Sequence, residues 1–135
     1  MSLPEFRARI TLVATVSPSE DPAKVGSAMK NILGDTQDEP AIRLHSIRLA
    51  SDEERSLSRI KDALRDRHVR SAARRQLLLS ISGRSASLML NRQAAAAGTI
   101  AICGTTEESP LGPIYLTIES EKLQTAVDWL TAYEG

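Results

Sequence analysis

Phe6, Ala8, Ile10, Leu12, Ala14 and Val16 occupy every second position of one segment, with Arg7, Arg9, Thr11 and Thr15 between them. Side chains of a strand point alternately to its two faces, so this spacing predicts a strand with one buried face and one open face. A chain built around such a strand needs something to cover the apolar side. The remaining segments supply it.

Asp21 is placed to cap a helix that opens with Pro22, continues through Val25, Ala28, Met29, Ile32 and Leu33 at helical spacing, and stops at a left-handed Gly34. A second strand carries Ile42 and Leu44 on one phase and Ile47 and Leu49 on the other, which predicts a β-bulge near His45-Ser46. Ser51, with Glu54 three residues on, has the pattern of a capping box for a helix bearing Leu57, Ile60 and Leu64. A further helix is expected from about Arg67 to Ser82, ending near Gly83. Its end should be buried on several sides, because Leu77, Leu78, Leu79 and Ile81 surround it.

Ala86, Leu88 and Leu90 predict a third strand, followed by a short helix capped by Asn91, rich in alanine and closed by Gly98. Ile100 and Ile102 mark a fourth strand and Ile114, Leu116 and Ile118 a fifth, joined as a hairpin through Ser109-Pro110-Leu111-Gly112-Pro113. A last helix follows Ser120 with Leu123, Ala126, Val127 and Leu130, and Trp129 and Tyr133 pack beside it. The sum is an α+β domain: a mainly antiparallel sheet of about five strands with helices on one face. The other face, carrying Arg7, Arg9, Thr11, Val13, Thr15, Arg43, Met89, Tyr115 and Thr117, is open to solvent or to a second subunit.

A length of 135 residues fits one domain, expected over residues 4–133, with Met1-Ser2-Leu3 and Glu134-Gly135 given no role in the fold. No apolar run is long enough for a membrane span, and a lone cysteine, Cys103, fits a reducing compartment, so a cytoplasmic protein with no membrane partner is expected. His45 and His68 have no neighbouring ligand at metal spacing. Cys103, in an apolar pattern, reads as a small core residue rather than a nucleophile. The clusters Asp52-Glu53-Glu54 and Glu107-Glu108 are explained by a helix start and a turn, and no glycine-rich nucleotide loop is present. These readings point to a protein that is not an enzyme and needs no cofactor or metal.

The net charge of zero conceals an asymmetry. Twelve of the seventeen basic residues lie between Arg43 and Arg92 against five acidic ones, so that segment carries +7 and the two ends together −7. A local positive field of this kind suits a phosphate-rich partner. Arg67, Arg70 and Arg74 share one helical face, with Arg75 beside it, and Arg84 and Arg92 flank the third strand. The alternative is a solvated face neutralised by Asp62, Asp66 and the acidic ends. Only Phe6, Tyr115, Trp129 and Tyr133 are aromatic, too few for a base-stacking platform, so RNA recognition here would rest on phosphate, sugar and helical shape.

Three motifs, Ser17-Pro18-Ser19-Glu20-Asp21-Pro22-Ala23-Lys24-Val25, Leu90-Asn91-Arg92-Gln93-Ala94-Ala95 and Leu111-Gly112-Pro113-Ile114, stand in an order that resembles the archaeal UPF family 0201. The likeness spans nearly the whole chain. It implies an α+β fold similar to the ribosomal protein that binds 5S ribosomal RNA, a homodimer, and no established active site. Ser19 stands where a threonine is common in the family, which keeps the hydroxyl. By this resemblance Asn91, Arg92 and Gln93 are candidate RNA contacts; read as residues, Asn91 is a cap, Gln93 a tie to a neighbouring loop, and the alanines packing surface. The expectation is an RNA-binding protein using Arg67, Arg70, Arg74, Arg75, Arg84, Asn91, Arg92 and Gln93 on structured RNA, or else a homodimeric interaction module.

Overall fold

The computed structural model describes residues 6–34, 39–43, 45–105, 108 and 111–132. The alternating N-terminal segment forms β1 (Arg9–Thr15), followed by α1 (Pro22–Leu33), β2 (Ala41–Ile42), β3 (Ser46–Ser51), α2 (Glu54–Ala63), α3 (Arg67–Leu79), β4 (Ser85–Leu90), α4 (Arg92–Ala96), β5 (Ile114–Glu119) and α5 (Leu123–Leu130). All strand pairs are antiparallel, in the order β2-β3-β1-β5-β4. The last strand thus lies between the first and the fourth.

Register explains the burial. Leu12 stands opposite Leu49 on one side and Leu116 on the other, and Leu116 opposite Leu88, so one row crosses four strands on the inner face. All four are fully buried, each contributing about 2 kcal/mol by removal from water. Helices α1, α2 and α5 close this face with Met29, Ile32, Leu57, Ile60, Val127 and Leu130, while α3 adds Ala73 and Leu77 beside β4. Phe6 meets Trp129 edge to face, with ring centroids 5.7 Å apart, and Lys61 lies over the same indole.

The helix starts follow the expected chemistry in most places. The Asp21 carboxylate accepts from the Ala23 amide with Pro22 at the first helical position, and Gly34 closes α1 with φ of 77°, although its ψ of −159° is not left-handed helical. Asn91 accepts from the Ala94 amide at the start of α4. The alanines there let α4 approach α1, where Asn31 donates to the Ala95 carbonyl at 2.9 Å.

Four expectations are corrected. The phase change near His45-Ser46 is a hairpin rather than a bulge: Ala41 pairs with Arg48, Ile42 with Ile47, and the Arg43 amide donates to the Ser46 carbonyl. Turning the chain, like inserting a residue, resets alternation, and Ile42 is left exposed on an edge strand. Ser51 is the last residue of β3, not a helix cap; its hydroxyl is buried against Ser56 and accepts from the Glu53 amide, so α2 starts at Glu54.

Residues 101–103 run along the outer edge of β4 through a single bridge, Leu90 to Ile102, and make no hairpin with β5. The five strands therefore include β2 in place of the expected fourth. Finally, α3 stops at Leu79, and its end is not buried on several sides: Leu78 is 40% exposed, Leu79 78% and Ile81 42%. Leu44, Ser109-Pro110 and Tyr133 lie outside the described residues.

Candidate nucleic-acid interface

Asp66 starts α3 by accepting from the amides of His68 and Val69. The thirteen residues that follow, RHVRSAARRQLLL, hold four arginines and no carboxylate. Their inner face is Ala73 and Leu77, fixed to β4 by Gln76, which accepts from the Met89 amide and donates to the Cys103 carbonyl. That packing leaves Arg67 and Arg75 exposed and Arg70 and Arg74 half-buried. Spacings of three and four put Arg67, Arg70 and Arg74 on one flank, from which Arg74 reaches α5, with Arg75 further round.

On that flank Arg74 donates to Asp128 at 2.9 Å and to the Thr131 hydroxyl at 3.1 Å. Both charged side chains are about half exposed, and an exposed pair of this kind contributes less than about 1 kcal/mol, so a phosphate can compete for Arg74. Arg70 donates to the Arg65 carbonyl at 3.1 Å, which holds the guanidinium along the helix start. Arg67 and Arg75 make no ion pair among the described residues.

The other candidates lie elsewhere. Arg84 pairs at 3.5 Å with Glu121 and lines an open cleft of about 650 Å³. That cleft also holds Arg7 and Arg9, but Asp52, Glu53, Glu54, Glu119 and Glu121 outnumber the arginines, a poor setting for phosphate. Arg92 is buried, with its side chain 6% exposed. One of its terminal nitrogens donates to both carboxylate oxygens of Glu20 at 2.7 Å, and its Nε donates to the Gly112 carbonyl at 3.1 Å.

Glu20 accepts in turn from the Ser17 amide at 3.0 Å. Burial pushes the Glu20 carboxyl up, yet the Ser17 amide and the Arg92 guanidinium outweigh it and hold the group below its ordinary value. Asn91 is occupied as the α4 cap and donates to the Glu108 carbonyl at 3.4 Å, whereas Gln93 is exposed.

The three sequence motifs therefore meet at one point. Glu20 belongs to the first, Arg92 to the second and Gly112 to the third, and the Arg92 side chain ties them together. No periodic signal in the chain announces a partner that lies 72 residues from Arg92. Leu111, with φ of 69°, and Gly112, with φ of 93°, give the turn that presents the Gly112 carbonyl to Arg92.

The chemistry of the remaining candidates is limited. Burial pushes the Cys103 thiol up and the neighbouring Glu108 carboxylate pushes it further, the reverse of an activated nucleophile. His45 and His68 are exposed. Among the described residues no group of three or more histidine, cysteine or acidic side chains is arranged to hold a metal, and no helix is long and apolar enough to cross a membrane.

Comparison with known proteins gives a consistent result. A family model described as RNA binding matches residues 9–120. A UPF0201 protein of Sulfolobus acidocaldarius is 38% identical over 125 residues, covering 91% of this chain and 86% of its own. One from Sulfurisphaera tokodaii is 36% identical with the same coverage. The crystal structure of a UPF0201 protein from Methanococcus jannaschii superposes with a TM-score of 0.74 at 20% identity, over 94% of this chain and 95% of that one, a likeness of fold.

Proposed function

Because this chain belongs to the UPF0201 family, whose relatives here are archaeal and whose matching family model is described as RNA binding, we propose that it is a non-enzymatic protein that binds structured RNA through α3. The observation that carries this reading is a thirteen-residue helix with no carboxylate and four arginines, of which Arg67 and Arg75 are exposed and Arg70 and Arg74 half-buried, set on the α+β frame. Guanidinium groups spaced along one helix match successive phosphates and bind them in bidentate fashion. With Tyr115 the sole exposed aromatic side chain among the described residues, contacts to backbone and helical shape take precedence over base stacking. Arg92 supports the frame in this reading and touches no RNA.

Ultraviolet crosslinking to a structured RNA pool, followed by mass spectrometry, tests the assignment. Adducts should concentrate on peptides spanning residues 66–79. Adducts confined to peptides of the sheet face would contradict it.

A second reading, a homodimer assembled through the open sheet face, is favoured by one row of that face. Val13 stands opposite Tyr115, and Tyr115 opposite Met89, which places three apolar side chains side by side on adjacent strands. Light scattering should show a dimer that Val13→Glu with Tyr115→Ser reduces to a monomer; a native monomer at high concentration removes this reading.

A further inference from the structure

The C-terminal half of α3 poses a question that RNA binding leaves unanswered. Single exposed leucines are ordinary on protein surfaces, but Leu78, Leu79 and Ile81 are three large aliphatic side chains exposed within four positions. The helix beneath them is firmly seated. Gln76 is bonded to Met89 and Cys103, and the Ser80 hydroxyl accepts from the Ser87 amide and donates to its carbonyl or to that of Leu77. The patch is therefore a fixed feature of the surface.

Its shape is specific. Ser71, Arg74, Arg75, Leu78 and Leu79 line a shallow groove of about 520 Å³. These positions follow i, i+3, i+4, i+7 and i+8, the ridge on which another helix packs, and the small Ser71 side chain permits a close crossing. The rim is cationic. Arg75 has no ion-pair partner among the described residues, and Arg74 has only the half-exposed Asp128.

We infer that this groove docks an amphipathic helix of a partner protein, whose apolar stripe covers Leu78 and Leu79 and whose flanking Asp or Glu residues pair with Arg74 and Arg75. RNA fits the arginines but gives nothing to the leucines. A second copy of the same helix fits the leucines but sets Arg74 and Arg75 against their own equivalents, a repulsion across a desolvated contact. An acidic amphipathic helix satisfies both features.

The test uses two fluorescein-labelled helical peptides with the same leucine stripe, one flanked by Glu and one by Lys, titrated with the full chain and read by anisotropy. The Glu peptide should bind about tenfold more tightly at low salt, and Arg75→Glu should remove that preference. Leu78→Ser with Leu79→Ser should abolish binding of both peptides while the circular dichroism spectrum and the RNA affinity stay unchanged; Leu79 is mostly exposed and Leu78 partly so, and the fold tolerates the change with only a small fall in melting temperature. Equal affinities, no binding of either peptide, or binding indifferent to the serines would overturn the inference. So would loss of RNA affinity in the serine variant, which would place RNA on the patch, or conversion of a native dimer to monomers, which would place a second copy there.

Discussion

Arg92 shows how a charged residue in a basic segment can be withdrawn from the surface. Its guanidinium bonds to Glu20 and to the Gly112 carbonyl in a nearly dry site, so both charges depend on each other. Arg92→Met leaves Glu20 buried without its counter-charge and should cost about 3 to 5 kcal/mol in chemical denaturation, whereas Glu20→Leu with Arg92→Met should recover much of that loss. Equal losses in the single and double variants would mean that the ion pair is not the linchpin. The same carboxyl makes stability depend on pH. Its folded value is held below the ordinary 4.5, so its contribution is present above that pH and is lost as pH falls through the folded value. Melting temperature should therefore fall more steeply below about pH 4.5 in the native chain than in Glu20→Gln; parallel curves would count against it. In the sequence Asn91 announces itself as a cap, because capping is local chemistry. The role of Arg92 is not legible there, because its partners come from remote turns.

Among the elements, α3 carries four of the candidate arginines. Its start is set by Asp66, which accepts from two amides. Asp66→Ala should cost about 1 kcal/mol in thermal or chemical unfolding, and no change would show that packing alone fixes the helix start. Strand β1, helices α1 and α4, and the buried face of α5 are legible from periodicity and caps. Elements defined by what lies beside them are not. The hairpin of β2 and β3 shows the same break in alternation as a bulge, and residues 101–103 alternate like a strand yet make only one bridge. The leucines at the end of α3 promise burial, but the single chain leaves them in solvent. Propensity reads the demand for cover and cannot say whether this chain or another supplies it.

On the scale of the molecule, the charge asymmetry is partly folded away. The acidic ends reach the basic segment at three described points: Glu20 on Arg92, Glu121 on Arg84 and Asp128 on Arg74. Lys61 is also withdrawn, with its ammonium on the Trp129 carbonyl and ring. What remains at the surface of α3 is Arg67 and Arg75, with Arg70 half-buried and Arg74 held by a half-exposed pair and the Thr131 hydroxyl. The α+β class and the one covered face are legible from alternation, while the insertion of β5 between β1 and β4 is a long-range pairing that no local pattern encodes. The most direct measurement of the central claim is the salt dependence of binding to a structured RNA, for the native chain and for Arg67→Gln with Arg70→Gln and Arg75→Gln. The native chain should bind at low salt with a steep negative slope of log K against log salt. The variant's slope should be shallower by roughly 2 to 3, about one unit or slightly less for each phosphate that an arginine no longer neutralises. Identical slopes, or no binding by the native chain at low salt, would contradict it.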